Sequence, residues 1–313
     1  MKRHKFSKLV SFARYCMRND FYSSEIQNSY HQSLGASKSL FHRLDQEGSY
    51  CILPTQYRMN RVITKLANDL TYDGKLVCGN DIVANATLRL PNMHVLRRIY
   101  EVERWLMKAI SNQIDLSAVI IDTGNTHQLN LKCQQMKELQ LNARERSVRN
   151  VTDCTNISEV ALVVYICLAL LRAGVKTGTI GVIAPFRAQV DLIRENIQRL
   201  LHRHISNQRP LATMNSNDML DTETDKGNIE VNTVDQFQGK DKKVIIYCCT
   251  KSFNPANAEQ GCASSEHSDR SSNEILSDKR RLTVAITRAQ EKLIIVGDRS
   301  SLESYAPFKK LLK

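Results

Sequence analysis

The 313-residue chain has no apolar run long enough to cross a bilayer: its longest, Ala161 to Leu171, falls well short of the roughly 20 residues a spanning helix needs. It has no CxxC pair and no Cys/His grouping at zinc spacing, although it carries nine cysteines, at 16, 51, 78, 133, 154, 167, 248, 249 and 262. That excludes the common zinc modules and leaves reduced, mostly structural thiols. An odd thiol count without a secretory leader suits a reducing compartment such as cytosol, nucleus or mitochondrial matrix. No internal repeat is present, the twelve glycines are scattered, and no acidic residue precedes Asp20.

What is abundant is positive charge. With 44 Lys and Arg against 32 Asp and Glu, the formal charge is +12 and the isoelectric point about 9.3. Such a balance favours a polyanionic partner, nucleic acid first, and serves equally to keep a protein in solution. Lys2, Arg3, Lys5, Lys8, Arg14 and Arg18 alternate with apolar residues at the start. This reads either as a mitochondrial transit segment or as an ordinary basic amphipathic helix.

From Gly178 onward, short apolar runs alternate with helix-length amphipathic stretches, which predicts an α/β core with a parallel sheet covered by helices. Candidate strands are 51–53, 118–122, 180–184, 230–234, 244–249 and 293–297, each rich in aliphatic or β-branched residues. Asn156 followed by Glu159 resembles a capping box and Gly174 a left-handed stop, so 157–173 is predicted as a helix. Further helices are expected over 61–70 and 187–201. Polar segments 125–153, 206–228 and 254–273 read as insertions on the rim.

Four constellations carry the chemistry: Gln56-Tyr57-Arg58-Met59-Asn60, Ile183 to Gln189, Asn232 to Asp241, and Arg281 to Ala289. Ligands of open parallel sheets gather beyond the carboxyl ends of the strands, so all four are expected to face that one edge. Arg58 and Arg288 are arginines of the kind that deliver charge to a γ-phosphate held elsewhere. The hydroxyl, amide and ring groups of the other two suit a phosphodiester backbone and its bases. Each has a simpler reading: surface salt bridges for the arginines, core packing for Tyr57, a helix-end staple for Phe186, a strand cap for Thr233. Asp241, flanked by Lys240, Lys242 and Lys243, has an ion pair with those lysines as its simpler reading.

In this order the constellations resemble motifs IV, IVa, V and VI of the Upf1-like superfamily 1B helicases. Ser39-Leu40-Phe41, Tyr72, Gly74, Val83 to Ala86, and Ser301, Leu302, Tyr305, Pro307, Leu311 and Leu312 bring the likeness closest to the helicase-nucleases of DNA replication. The resemblance runs over about 27–313 and weakens across 92–153. It implies a RecA-like P-loop NTPase-type fold, the second motor domain, over 51–313, after a basic segment 1–26 and a remnant of the first motor half at 27–50.

The resemblance also implies roles. Tyr57 would stack beside adenine, with Gln56, Gln238, Gly239 and Asp241 around the nucleotide. Arg58 and Arg288 would be the catalytic fingers, and Pro185, Phe186 and Thr233 would contact single-stranded DNA. ATP and Mg²⁺ would be used only by the complete motor. No G-x-x-x-x-G-K-[ST] string occurs in the chain, nor does the acidic motif that positions Mg²⁺. The first motor half and a nuclease region are therefore implied partners. No cysteine here inherits an iron-sulfur role, no metal site is expected, and little turnover is expected from the chain alone. The implied setting is DNA replication and repair in the nucleus, with the mitochondrion a second compartment. Two other readings stand beside this one: a non-catalytic module binding single strands or protein, and half of an RNA helicase.

Overall fold

The computed structural model describes residues 53–100, 103–124, 155–208, 227–250 and 275–312. The segments 1–26 and 27–50 lie outside the described residues, as do the expected insertions 125–153 and 254–273. So does 209–226 of the expected insertion 206–228, whose residues 206–208 complete a helix. Residues Thr55–Lys313 form one compact unit.

Its centre is a five-stranded, wholly parallel sheet in the order β3-β7-β6-β4-β5, with β3 Ala118–Asp122, β4 Ile180–Ala184, β5 Glu230–Thr233, β6 Lys242–Cys248 and β7 Ala289–Gly297. Parallel strands buried on both faces need apolar residues at every position, and alternate residues must serve opposite cores. That alternation is visible. Ile180, Val182, Val244, Ile246, Cys248, Ile294 and Val296 join one core, whereas Ile183, Ile245, Tyr247, Cys249, Leu293 and Ile295 join the other. Helices cover both sides, giving a RecA-like α/β domain.

The strands expected at 118–122 and 180–184 are found with those bounds. β6 and β7 begin earlier than their apolar runs, at Lys242 and Ala289, because ladder pairing of Lys242 with Ala289 continues past the buried stretch. Cys51 and Ile52 lie outside the described residues. Leu53 is irregular and exposed, and the first strand is β1, Thr55–Gln56, which pairs in parallel with β2, Val77–Cys78.

Helix α1, Arg61–Ala67, starts at Asn60, whose side chain accepts from the Ile63 amide at 3.1 Å. It passes into a π turn, Asn68–Tyr72, that ends at left-handed Asp73 and Gly74. After α2, Asp81–Ala84, α3, Met93–Tyr100, and α4, Arg104–Ala109, comes α5, Ile157–Arg172. α5 is buried continuously from Glu159 to Leu170 and stops at Gly174, φ +86°. Its capping box differs from the expected form. Asn156 accepts from the Glu159 amide at 3.0 Å, but the Asn156 amide donates to Gln189 instead of Glu159. α6 runs from Arg187 to Gln208, seven residues past its expected end at 201. α7 is Lys279–Ile286, and α8, Arg299–Leu302, and α9, Ala306–Leu311, close the fold.

Candidate functional site

The first site lies at the amino ends of β6 and β7. The QYRMN block is a tight turn organised by Gln56, whose Oε1 accepts from the amides of Arg58 and Met59, both at 2.8 Å. Its Nε2 donates to the Met59 carbonyl at 2.7 Å, to Thr64 Oγ1 at 2.8 Å and toward Cys78 Sγ at 3.3 Å. Both ends of that amide are engaged in these bonds, so Gln56 positions its neighbours. Asn60 ties the turn to β7: its amide donates to Gln290 O at 3.0 Å and its Nδ2 to Glu291 O at 3.0 Å.

Held this way, Arg58 projects along the sheet edge. Its Nη1 donates to Thr287 O at 3.3 Å and its Nε stands 3.9 Å from Asp241 Oδ2, with the side chain 39% exposed. Arg288 is 8% exposed; its Nε donates to Val284 O at 3.1 Å and its Nη1 to Lys240 O at 3.2 Å. The Lys242 amide returns a bond to Arg288 O at 3.0 Å. Residues 230 positions apart in the chain thus bracket one peptide, Lys240-Asp241, from two sides.

Asp241 does not pair with the flanking lysines. Lys240 and Lys242 bond Glu230, Lys243 sits 3.2 Å from Glu291, and Asp241 faces Arg58 and accepts from Gln290. Burial pushes the Glu230 carboxyl upward, but the two ammonium groups outweigh it and hold the group below the ordinary carboxylate range.

Residues 234–241 carry the chain from the carboxyl end of β5 back to the amino end of β6, passing over β4. Phe237 is fully buried in that crossing. Its ring lies over Gly181 of β4 so closely that a Cβ there would come within 2.6 Å of Cζ. The crossing then turns through Gln238, half-buried, and Gly239, exposed with φ +82°, a conformation that L side chains rarely adopt.

The second site is at the opposite, carboxyl edge. The expectation that all four constellations share this edge is therefore corrected. Pro185, Phe186 and Thr233 lie here, while Arg58, Asp241 and Arg288 lie at the amino ends. The cause is topological: a parallel pair needs a crossover, so one constellation, 232–241, spans both edges.

Pro185 is buried and Phe186 is 8% exposed, with its carbonyl accepting from Val190 as α6 begins. In the free chain both are packed where α6 begins, as a helix-end plug would be. The exposed residue is the next one, Arg187. Thr233, half-buried, ends β5, and its carbonyl accepts from Phe237 at 3.0 Å. Asp235 stands 3.6 Å from Arg281. Burial raises its carboxyl above the usual range, against the pull of Arg281 and Arg187, both near enough to act on it.

Behind this edge is a buried acid that sequence reasoning treated only as a cap. Glu159 Oε2 accepts from the Thr250 amide at 2.6 Å and from Cys248 Sγ at 3.1 Å, while Gln189 Nε2 approaches the same sulfur at 3.3 Å. The burial of Cys248, with Glu159 beside it, pushes the thiol well above its usual range. An acid inside an apolar helix face was the signal. Among the described residues no group of three or more His, Cys, Asp or Glu side chains is arranged to hold a metal ion.

Comparison with known proteins adds to this geometry. A family model described as "AAA domain" matches residues 36–300. The chain is 34% identical over 288 residues to "DNA replication ATP-dependent helicase/nuclease DNA2" of Bos taurus, covering 90% of this chain and 22% of that protein. It is 33% identical over 288 residues to the Homo sapiens protein of the same name, with 90% and 22% covered. With the Schizosaccharomyces pombe counterpart it shares 28% over 293 residues, covering 92% of this chain and 17% of that one. The chain spans about a fifth of the length of these relatives.

Proposed function

Since the chain belongs to the AAA domain family, we propose that it is the second motor half of an ATP-dependent DNA helicase or helicase-nuclease, acting in nuclear DNA replication and repair. The observation that carries the reading is the pair Arg58 and Arg288 around the Lys240-Asp241 peptide, facing away from the edge that holds Thr233 and Arg187. A motor needs those functions apart: one rim completes a nucleotide site, the other follows a strand, and residues 234–241 join them.

In the complete motor the phosphate-binding half supplies the loop for the phosphates and the ligands of Mg²⁺. This chain contributes cationic charge at the γ-phosphate through Arg58, with Arg288 as the second finger. Gln238, Gly239 and Asp241 form the turn beside the ribose, and Tyr57 the contact to the base. Single-stranded DNA runs along the carboxyl edge. Phosphoryl transfer depends on positioning and charge neutralisation, so fingers without a phosphate cradle turn over little ATP.

The test is ATP hydrolysis by the 313-residue chain alone and by the same chain joined to a superfamily 1 phosphate-binding domain. The joined protein is expected to hydrolyse ATP with magnesium and DNA stimulation, and to lose that activity on Arg58→Ala or Arg288→Ala. DNA-stimulated hydrolysis by the chain alone that survives Arg288→Ala would falsify the proposal. Tighter binding to RNA than to a matched DNA strand would move the reading to an RNA motor. Salt-dependent strand binding untouched by nucleotide or by either arginine would reduce it to a binding module.

A further inference from the structure

Gly79 follows β2 and takes a different kind of constraint from its neighbour Gly74. At Gly74 the backbone is left-handed, φ +79°, and nothing lies within 4 Å of where a Cβ would stand; glycine is needed there for conformation. Gly79 shows no left-handed φ, so its backbone would accept any residue. What occupies the place of a side chain is Tyr57: a Cβ at Gly79 would fall 2.1 Å from Cε1, 2.4 Å from Cζ and 2.5 Å from Cδ1 of the ring, so the ring would have to move off its seat. The ring rests on the bare α-carbon, and the Gly79 amide fixes that carbon by donating to Gln56 O at 2.8 Å.

Tyr57 is nevertheless 68% exposed. One side of the ring is seated and the rest stands open to water. The alternation of the short β1-β2 pair turns Gln56 and Cys78 inward and leaves Val77 outward, 52% exposed, on the side where Tyr57 emerges. An exposed aromatic ring seated on backbone, one residue from Arg58, is a preorganised surface for a planar ligand whose charged end lies toward the arginine. A freely rotating tyrosine would have to be ordered on each binding event.

We propose that Gly79 is a positioning residue: its missing side chain seats Tyr57 as a rigid platform for the base of the nucleotide whose phosphates Arg58 meets. This rests on the nucleotide reading of the amino edge. The prediction is specific to the base, because adding a methyl at Gly79 lifts the ring without touching Arg58 or Asp241.

The experiment is equilibrium binding of ATP and of inorganic tripolyphosphate to the full chain, as wild type, Gly79→Ala, Tyr57→Ala, the double variant, and Arg58→Ala. Wild type is expected to prefer ATP by about 5-fold or more, the scale of one base stacked on an aromatic ring. Gly79→Ala and Tyr57→Ala should each erase that preference and leave tripolyphosphate affinity unchanged, and Gly79→Ala should add nothing once Tyr57 is alanine. Any loss of urea midpoint in Gly79→Ala should be recovered in the double variant, since the methyl then occupies the space the ring left. An ATP preference that persists in Gly79→Ala, an equal loss in the Tyr57→Ala background, or no preference in wild type each overturns the platform. Failure of the wider reading looks different: Arg58→Ala would leave tripolyphosphate affinity as it was.

Discussion

The two ends of the central sheet satisfy their backbones with opposite chemistry. At the amino ends of the strands, helices and turns arrive with carbonyls, and long donors meet them: Arg58 on Thr287 O, Arg288 on Val284 O and Lys240 O, Lys242 on Gly178 O, and Lys292 on Ser111 O and Leu116 O. At the carboxyl ends helices begin, their amides need acceptors, and acids supply them. Asp298 accepts from the Ser300 and Ser301 amides and Asp122 from the Arg299 amide, while Glu159 accepts from the amide of Thr250, where β6 has run out. Both follow from parallel β-α order, which stacks helix C-termini at one end and N-termini at the other. The lesson bears on the fingers. A guanidinium at the amino edge has a structural reason to be there before any phosphate arrives, and variants separate its work as anchor from its work as finger.

Arg288→Ala makes the largest separation. As a finger, its loss should lower DNA-stimulated ATP hydrolysis of the joined motor by about 10³- to 10⁵-fold, whereas a carbonyl anchor would cost stability and leave turnover of the folded fraction intact. Steady-state hydrolysis beside a urea titration reads both. A fall in hydrolysis that merely tracks unfolding would return Arg288 to the anchors.

Next comes the strap between the edges. Phe237→Ala should destabilise the domain by about 3–5 kcal/mol, because the ring is fully buried between residues 234–241 and Gly181. Chemical denaturation measures this directly. A cost below about 1 kcal/mol would mean that the crossing is not packed as a strut and the two edges are mechanically separate.

How much of this was legible beforehand depends on where each residue's partner lies. β4 and α5 could be read because their determinants are local: a run of aliphatics for one, Asn156, an apolar face and Gly174 for the other. The arginine pair was found by its motif spacing, but the edge it occupies was not, since which end of a strand a turn reaches depends on the crossover. Phe186 was ambiguous for a related reason: an aromatic at a strand end is compatible with gripping a ligand or plugging a helix, and its burial depends on packing that the sequence does not spell out. Asp241 amid three lysines suggested ion pairs that Glu230, on the strand before, and Glu291, on β7 far along the chain, take instead.

The donor-rich amino edge makes a prediction about pH. Lys292 is fully buried with no carboxylate partner among the described residues, and burial pulls its ammonium down to about 7. Between that value and the unfolded lysine value of about 10.4, the unfolded chain holds a proton that the folded chain does not, so this group's contribution to stability rises with pH across that window. The buried thiols act the other way. Burial pushes Cys167 up to about 12 and Cys248 and Cys249 well above their usual range, so above about pH 8.5 the unfolded chain releases protons that the folded chain keeps, and their contribution falls. The difference in unfolding free energy between wild type and Lys292→Met should therefore climb from pH 7 to 10, with the thiol effect cancelling. A flat difference would show that Lys292 stays charged when folded, stabilised by its two carbonyls.

The smallest effect belongs to the carboxyl edge and tests whether it meets a strand at all. Arg187 is exposed at the start of α6, next to a buried Phe186 and close enough to Asp235 to act on its charge. One phosphate contact to a single strand contributes a salt slope of about 0.7 in log affinity against log salt concentration. Arg187→Ala should lower the slope by about that amount and weaken single-strand affinity a few-fold at low salt, without altering ATP binding. Phe186→Ala, which removes packing and no charge, should lower the urea midpoint and leave the slope alone. If Phe186→Ala weakens single-strand affinity at an unchanged slope and Arg187→Ala leaves both as they were, the ring contacts the strand, and the burial of Phe186 in the free protein must give way when nucleic acid binds.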